Sequence, residues 1–386
     1  MICGFTPNGG QPRRGPDVSL VMKPNRWAAL AAIALTALAV LTPPAAADSA
    51  VPKGFAPAST SWTGPLRGFV LGFFPCGRPG WCASLLSTAD GGKRWRRVGE
   101  PPISLPDNHN QVKLTVVDER DVYLSDGTRL LASRDGGGKW SEVRLAGARE
   151  PFYISKITEA GPRVFAMVTG FGSPSTTTLY AGISGTRLLQ PVPGFTVTGS
   201  STYGDVATSG GIQVSMGADY RVQKYWTSSD GLTFAPAPPP CPADSAASLS
   251  GVRQGHVLAL CSGGPGTPQP GATVRRLWRA PKLGGHFTGT AQAPTLGINQ
   301  SFSAASPTSA TVAAEGGGTG FLHSTADGGA TWTTTELSGR GVCLNDLDFP
   351  DERVGVVVDG LPDADGGSAV YRTTDGGGTW RELAFG

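Results

Sequence analysis

The chain has few clustered metal ligands, little net charge and no long apolar run. Its four histidines, His109, His256, His286 and His323, are widely separated among 386 residues, and no two cysteines form a C-x-x-C pair. Zinc sites need Cys and His at short spacings, so no metal ligand set is expected. The most apolar stretch, Trp27 to Leu41, is shorter than the roughly 20 residues of a membrane span. It follows the basic segment Met22-Lys23-Pro24-Asn25-Arg26 and precedes Ala45-Ala46-Ala47, the pattern of a cleavable export signal. Residues 22–47 are therefore read as a signal peptide cut near Ala47, and 1–21 as an upstream extension without signal character. A secreted or cell-envelope protein with no membrane span in its mature part is expected.

The whole chain has 32 basic and 29 acidic residues. The segment 1–47 contributes Arg13, Arg14, Lys23, Arg26 and Asp17, so removing it leaves 28 of each sign. A protein held to nucleic acid by electrostatics carries a basic surplus, so no nucleic-acid partner is expected. The mature part also lacks a helical apolar stripe. Its apolar residues alternate, β-branched residues are frequent, and Gly, Pro and Asp interrupt them, which is strand patterning.

What the sequence does contain is a repeat. Five near copies occur: Thr88-Ala-Asp90-Gly-Gly-Lys-Arg-Trp95, Ser133-Arg-Asp135-Gly-Gly-Gly-Lys-Trp140, Ser228-Ser-Asp230-Gly-Leu-Thr-Phe234, Thr325-Ala-Asp327-Gly-Gly-Ala-Thr-Trp332 and Thr373-Thr-Asp375-Gly-Gly-Gly-Thr-Trp380. Two decayed copies, around Ile183 and Lys282, fill the gaps. Anchors at 90, 135, 183, 230, 282, 327 and 375 are 45, 48, 47, 52, 45 and 48 residues apart. The Asp and the Ser/Thr hydroxyl suit a tight turn in which they accept backbone N–H groups. The aromatic residue then opens the next strand and packs between sheets.

These segments resemble the Asp-box (bacterial neuraminidase) repeat, S/T-x-D-x-G-x-T-W/F, over nearly the whole mature chain. The resemblance implies an all-β fold, a single seven-bladed β-propeller over 54–386 with four-stranded antiparallel blades and the boxes at the turn between each third and fourth strand. In the last unit the strands are read as 343–349, 353–359, 369–373 and 379–383; in the second as 112–118, 121–124, 129–133 and 139–145. Whether an N-terminal strand completes the last blade stays open. In this register Cys76 and Cys82 staple a loop of the first blade, and Cys241 pairs with Cys261 across neighbouring strands of the fifth. Cys343 stands outside both pairs as a buried thiol.

Sialidases share only the boxes with this chain. They also need an Arg-Ile-Pro motif, which is absent here, and a Tyr paired with a Glu. No mature Glu stands in a recognisable pairing with Tyr153, Tyr203 or Tyr220. No catalytic residue and no cofactor are therefore assigned, and the boxes (Asp90, Trp95, Asp135, Trp140, Asp230, Phe234, Asp327, Trp332, Asp375, Trp380) are read as folding devices. Inner-strand residues Lys113, Lys156, Asn345, Asp346 and Asp348 are expected to line a solvated channel. Ligands are expected on the face opposite the boxes, whose longest loops are read as 99–111, with Asp107, Asn108, His109 and Asn110, and 170–178, 235–243, 262–273 and 359–368. Asp359, Asp363 and Asp365 have a spacing open to Ca²⁺, though a solvated acidic turn is the plainer reading. Trp62, Phe74, Trp81 and Phe171 are the aromatic candidates for glycan contact, with core packing the plainer reading of each. The expected role is a non-catalytic, monomeric module binding a protein or a cell-surface glycan, with a sialidase-like or other glycoside hydrolase as the alternative.

Overall fold

The computed structural model of the chain describes residues 50–77, 80–105, 112–149, 152–219, 221–252, 255–263, 272–337, 343–362 and 367–386. Residues 1–21, the segment 22–47 read as an export signal, the Asp107–Asn110 segment, Asp363 and Asp365 lie outside them.

The described residues form strands and turns without an α-helix. The strands group into antiparallel four-strand meanders. The first holds β1 (Ala56–Trp62), β2 (Gly68–Gly77), β3 (Gly80–Thr88) and β4 (Arg96–Gly99). The second holds β5 (Lys113–Val116), β6 (Val122–Ser125), β7 (Leu130–Ser133) and β8 (Ser141–Leu145). The third is longer: β9 (Phe152–Ala160), β10 (Arg163–Gly170), β11 (Ser175–Ile183) and β12 (Leu188–Gly199). β13 (Thr202–Thr208), β14 (Ile212–Ala218), β15 (Arg221–Ser228) and β16 (Ala235–Pro236) follow. Then come β17 (Ser245–Gly251), β18 (Val257–Gly263), β19 (Arg275–Ala280) and β20 (Thr288–Gln292). The last two groups are β21 (Ile298–Ala304), β22 (Ala310–Gly316), β23 (Thr319–Thr325), β24 (Thr333–Leu337), and β25 (Leu344–Asp348), β26 (Gly355–Asp359), β27 (Ala369–Thr373), β28 (Arg381–Glu382). The first strand of each meander lies against the first strand of the next, and β25 lies against β1. This is the β-propeller arrangement expected from the repeat.

Alternation of side chains across each strand supplies every sheet with two apolar faces, and the cores lie between sheets. Leu71, Phe73, Leu85, Leu114 and Leu124 join the first two meanders, and Leu344, Leu347 and Val357 pack with Ala313 and Leu322 between the last two. Burying each such side chain contributes about 1.5–3 kcal/mol.

The innermost strands are sheet edges, so their outward N–H groups need partners. Short polar side chains of the neighbouring inner strand accept them. Ser59 Oγ takes the N–H of Leu114 at 2.8 Å, Ser61 Oγ that of Val116 at 3.0 Å and Asp205 Oδ2 that of Leu249 at 2.7 Å. Ser250 Oγ takes that of Ala304 at 2.9 Å. Between the last meander and the first, Asp346 Oδ2 takes the N–H of Thr60 at 3.1 Å.

Among the described residues no N-terminal strand joins β28, which pairs only with β27. The seam closes through side chains instead. Phe385 packs on Phe55 and Trp95 with ring centroids 5.1 and 5.0 Å away, and Trp95 Nε1 donates to the Ala384 carbonyl at 3.1 Å.

Candidate functional site

Two places on the described residues could carry function: a group of charges near the axis, and a cleft above the short second meander.

The axial group is assembled from first strands. Lys113 sits on β5, Tyr153 and Lys156 on β9, Asp205 on β13, and Asp346 and Asp348 on β25. Lys113 Nζ donates to Asp346 Oδ1, and Ser59 Oγ donates to Asp346 Oδ2. Lys156 Nζ lies 3.8 Å from Asp205 Oδ1. Burial opposes the charge on Lys113, but Asp346 beside it, with Tyr153 and Asp205 nearby, holds its pKa well above the ordinary lysine value. Burial raises the pKa of Asp348 despite the pull of Lys156. Asp346 adopts a left-handed backbone, φ 53°, which Asp tolerates better than most residues. Its two oxygens serve donors from two other inner strands, β1 and β5, so its carboxylate is engaged in holding sheets together. The sequence names Lys113, Lys156, Asn345, Asp346 and Asp348 for this region, and the structure brings Lys113, Lys156, Asp346 and Asp348 together. It adds Asp205, Tyr153 and Ser59.

The cleft follows from unequal strand lengths. Strands of the second meander run four or five residues, those of the third eight to twelve. At about 3.3 Å per residue that is roughly 15 Å against 30 Å. β8 pairs in parallel with the start of β12, Arg144 beside Leu188 and Leu145 beside Leu189, and there it ends. β12 continues to Gly199, so the upper face of the third meander rises past its neighbour. The uncovered region is a cleft of about 630 Å³. Its floor includes Phe152, Val168, Thr176, Thr178 and Tyr180; Phe171, 54% exposed, stands on its rim, and Arg149 is its one charged residue among the described lining. Glu150, next in sequence, lies outside the described residues. The segment 170–178 was expected to be a loop. Only 171–174 is one, because the β-branched run Thr176–Thr178 extends β11. Thr176 and Thr178 fall within the 170–178 segment named from sequence, whereas Arg149 and Tyr180 lie outside every named segment; the shorter strands of the second unit are the available signal.

The repeated turns lie elsewhere on each sheet, between third and fourth strands. In each of the five, Asp Oδ1 accepts the Ser/Thr hydroxyl two residues before it at 2.7–3.0 Å. Backbone donors complete the turn: Arg94, Lys139, Thr233, Thr331 and Thr379 N–H reach the same Asp atoms at 2.8–2.9 Å. The hydroxyl and N–H of Thr331 hold the Asp327 carboxyl at about 2, and the N–H groups of Thr233 and Leu232 do the same for Asp230. Paired glycines with positive φ reverse the chain, as at Gly376 (76°) and Gly377 (97°). Trp140, Trp332, Trp380 and Phe234 pack against inter-sheet cores, and Trp95 against the seam. These groups are saturated by their own turns and present no reactive arrangement.

Cys76 is bonded to Cys82 and Cys241 to Cys261, while Cys343 is buried outside both bridges. Trp62 is buried, and Phe74 and Trp81 are half-buried. Arg97 lies over the Phe74 ring and pairs with Glu100. Among the described residues no cluster of His, Cys, Asp and Glu is suited to a metal ion, and no helix is long and apolar enough to cross a membrane.

The chain matches no family model and no curated protein. Solved structures similar to it include YCF48 bound to D1 peptide, 16% identical over 80% of this chain and 90% of that one, with a TM-score of 0.46. A GH74 xyloglucanase from Xanthomonas campestris is 12% identical over 85% and 72%, TM-score 0.39. An acylaminoacyl peptidase from Pyrococcus horikoshii is 11% identical over 86% and 52%, TM-score 0.48. At these identities and TM-scores the likenesses carry nothing about activity or partner.

Proposed function

We propose that the chain is an exported, non-catalytic binding module, a monomeric seven-bladed propeller that holds a protein partner in the cleft above β8. The observation that carries this reading is the makeup of that cleft. Two half-buried threonines on the sheet face, an exposed aromatic ring at the rim and a single cation among the described lining suit holding a ligand. Acid–base catalysis would need titratable pairs at the same place. The two disulfides fit an oxidising compartment.

Thr176 is half-buried on the floor, so Thr176→Arg should fill the cleft without disturbing a core. Proximity labelling at the cell envelope would compare native protein with this variant. The expected result is a set of labelled proteins lost in the variant; labelling unaffected by the substitution would count against the reading.

A glycoside hydrolase is the second reading, favoured by the raised pKa of Asp348. It needs a second available carboxylate. Asp346 is occupied by Ser59, Thr60 and Lys113, and Asp205 by Leu249 and Lys156, which is why this reading stands second.

A further inference from the structure

A second pocket, of about 310 Å³, opens on the fifth meander. Two constraints shape it. The Cys241–Cys261 bridge pins the segment before β17 to β18, and the 242–245 turn, closed by the Ser245 N–H on the Pro242 carbonyl, forms one wall. The other wall is the face of β19 and β20 on which Arg276 and Gln292 stand directly opposite each other, with Trp278 two residues further along. The Trp278 ring packs beside the bridge and lies across Gly289, where a Cβ would meet the indole at 3.0 Å.

These three side chains share unpaired donors. Arg276 and Gln292 are exposed, and neither has a hydrogen-bond or ion-pair partner among the described residues. The Trp278 Nε1–H is buried with no acceptor among them, although such groups are normally paired. The one acid of the described lining, Asp244, lies 3.4 Å from Arg221 and is engaged there.

Arg275 supplies an independent observation. It borders the same pocket, is 0% exposed, and follows strand alternation onto the opposite face of β19 from Arg276. Its Nε donates to the Thr273 carbonyl at 3.2 Å and its Nη2 to the carbonyls of Thr295, Leu296 and Gly297, while Nη1 has no partner among the described residues. Every acceptor is a neutral carbonyl. Burial lowers its pKa to about 10, and no carboxylate offsets the charge. A buried cation without a counter-charge raises the positive potential of its surroundings, where screening by water is weak.

We propose that this pocket binds a small oxyanion, a carboxylate, sulfate or phosphate, carried on a group no larger than a sugar ring. The Arg276 guanidinium takes two of the anion's oxygens, and the Gln292 amide and the Trp278 N–H supply further donors. A cation would be repelled by both guanidiniums, and a neutral group would leave their charge unanswered. The pocket is separate from the cleft above β8, so its failure leaves that reading as it stands.

The test uses the full chain isotopically labelled at the tryptophan indole nitrogens. The Trp278 N–H resonance is assigned by its loss in Trp278→Phe. Acetate, glucuronate, inorganic sulfate and inorganic phosphate are titrated at fixed ionic strength, with glucose as the neutral ring. The expected result is saturable movement of this resonance by at least one anion at millimolar concentration, and none with glucose. Arg276→Gln should weaken that binding about tenfold, and Arg276→Lys should restore part of it. Saturation by acetate and glucuronate alone would support the site and make the ligand a carboxylate; saturation by sulfate and phosphate alone would support it and make the ligand an ester of one of these. A resonance unmoved by all four anions, moved equally by glucose and glucuronate, or moved as readily in Arg276→Gln would overturn the proposal. Unchanged thermal unfolding midpoints would show that the variants remain folded.

Discussion

The Asp346 carboxylate accepts the Thr60 backbone N–H at 3.1 Å across the seam where the last meander meets the first. The same carboxylate receives Ser59 and Lys113, so one side chain ties β25, β1 and β5 together. Removing it leaves Lys113, whose side chain is 25% exposed, without its counter-charge. Asp346→Ala is expected to cost about 3 kcal/mol in urea unfolding. Asp346→Asn should cost less, because an amide oxygen still accepts the Thr60 N–H and Asn tolerates a positive φ. Adding Lys113→Met to Asp346→Asn should recover part of the loss; strict additivity in the double-mutant cycle would show that the pair does not interact.

Seam closure also depends on Phe385, which touches Phe55 and Trp95. Because the ring is only partly buried, Phe385→Ala is expected to cost about 1–3 kcal/mol, below the range for fully buried phenylalanines. Hydrogen exchange should rise first in β1 and β27. Protection lost uniformly over all sheets would contradict a local seam.

The disulfides should differ in worth. Cys241 and Cys261 are 20 residues apart and Cys76 and Cys82 six apart. The chain-entropy relation gives about 3.3 kcal/mol for the longer loop and about 2.4 for the shorter. Paired Cys→Ser variants, compared by urea unfolding, should rank in that order; the reverse would place the stabilisation in native contacts.

Acid should weaken the fold in two separate windows. His323 is fully buried, with Nε2 donating to the Leu296 carbonyl at 2.9 Å and Nδ1 accepting from Thr334 at 2.8 Å. Burial, aided by the Arg275 charge, lowers its pKa below 6.5. The unfolded chain therefore takes up the proton first, and stability present above about pH 6.5 falls as pH drops through the lowered value. The turn aspartates, with Asp230, Asp327 and Asp375 at about 2, contribute above about pH 3.8 and lose that contribution towards pH 2. His323→Gln should flatten the upper window alone. An unchanged profile between pH 5 and 6.5 would remove His323 from this account.

Repetition made the strands legible. The last unit was read at 369–373 and 353–359; β27 spans Ala369–Thr373, and β26 the shorter Gly355–Asp359. The five turns announce themselves because Asp, Gly and Trp must each occupy a fixed place in them. The cleft did not. Gly170, Gly172 and Pro174 punctuate the segment as a loop would, and that signal outweighed the β-branched threonines continuing β11. The axial pairing was legible only as a list of inner-strand polar residues. Lys113 and Asp346 are separated by most of the chain, and only ring closure brings them together.

The most direct measurement is hydrolysis of a fluorogenic panel of sialosides and common glycosides by the full chain, with Asp348→Asn alongside. A binding module gives no turnover above buffer on any substrate, and the variant behaves as the native protein does. Robust turnover abolished by Asp348→Asn would contradict the account and make the axial carboxylates a catalytic site.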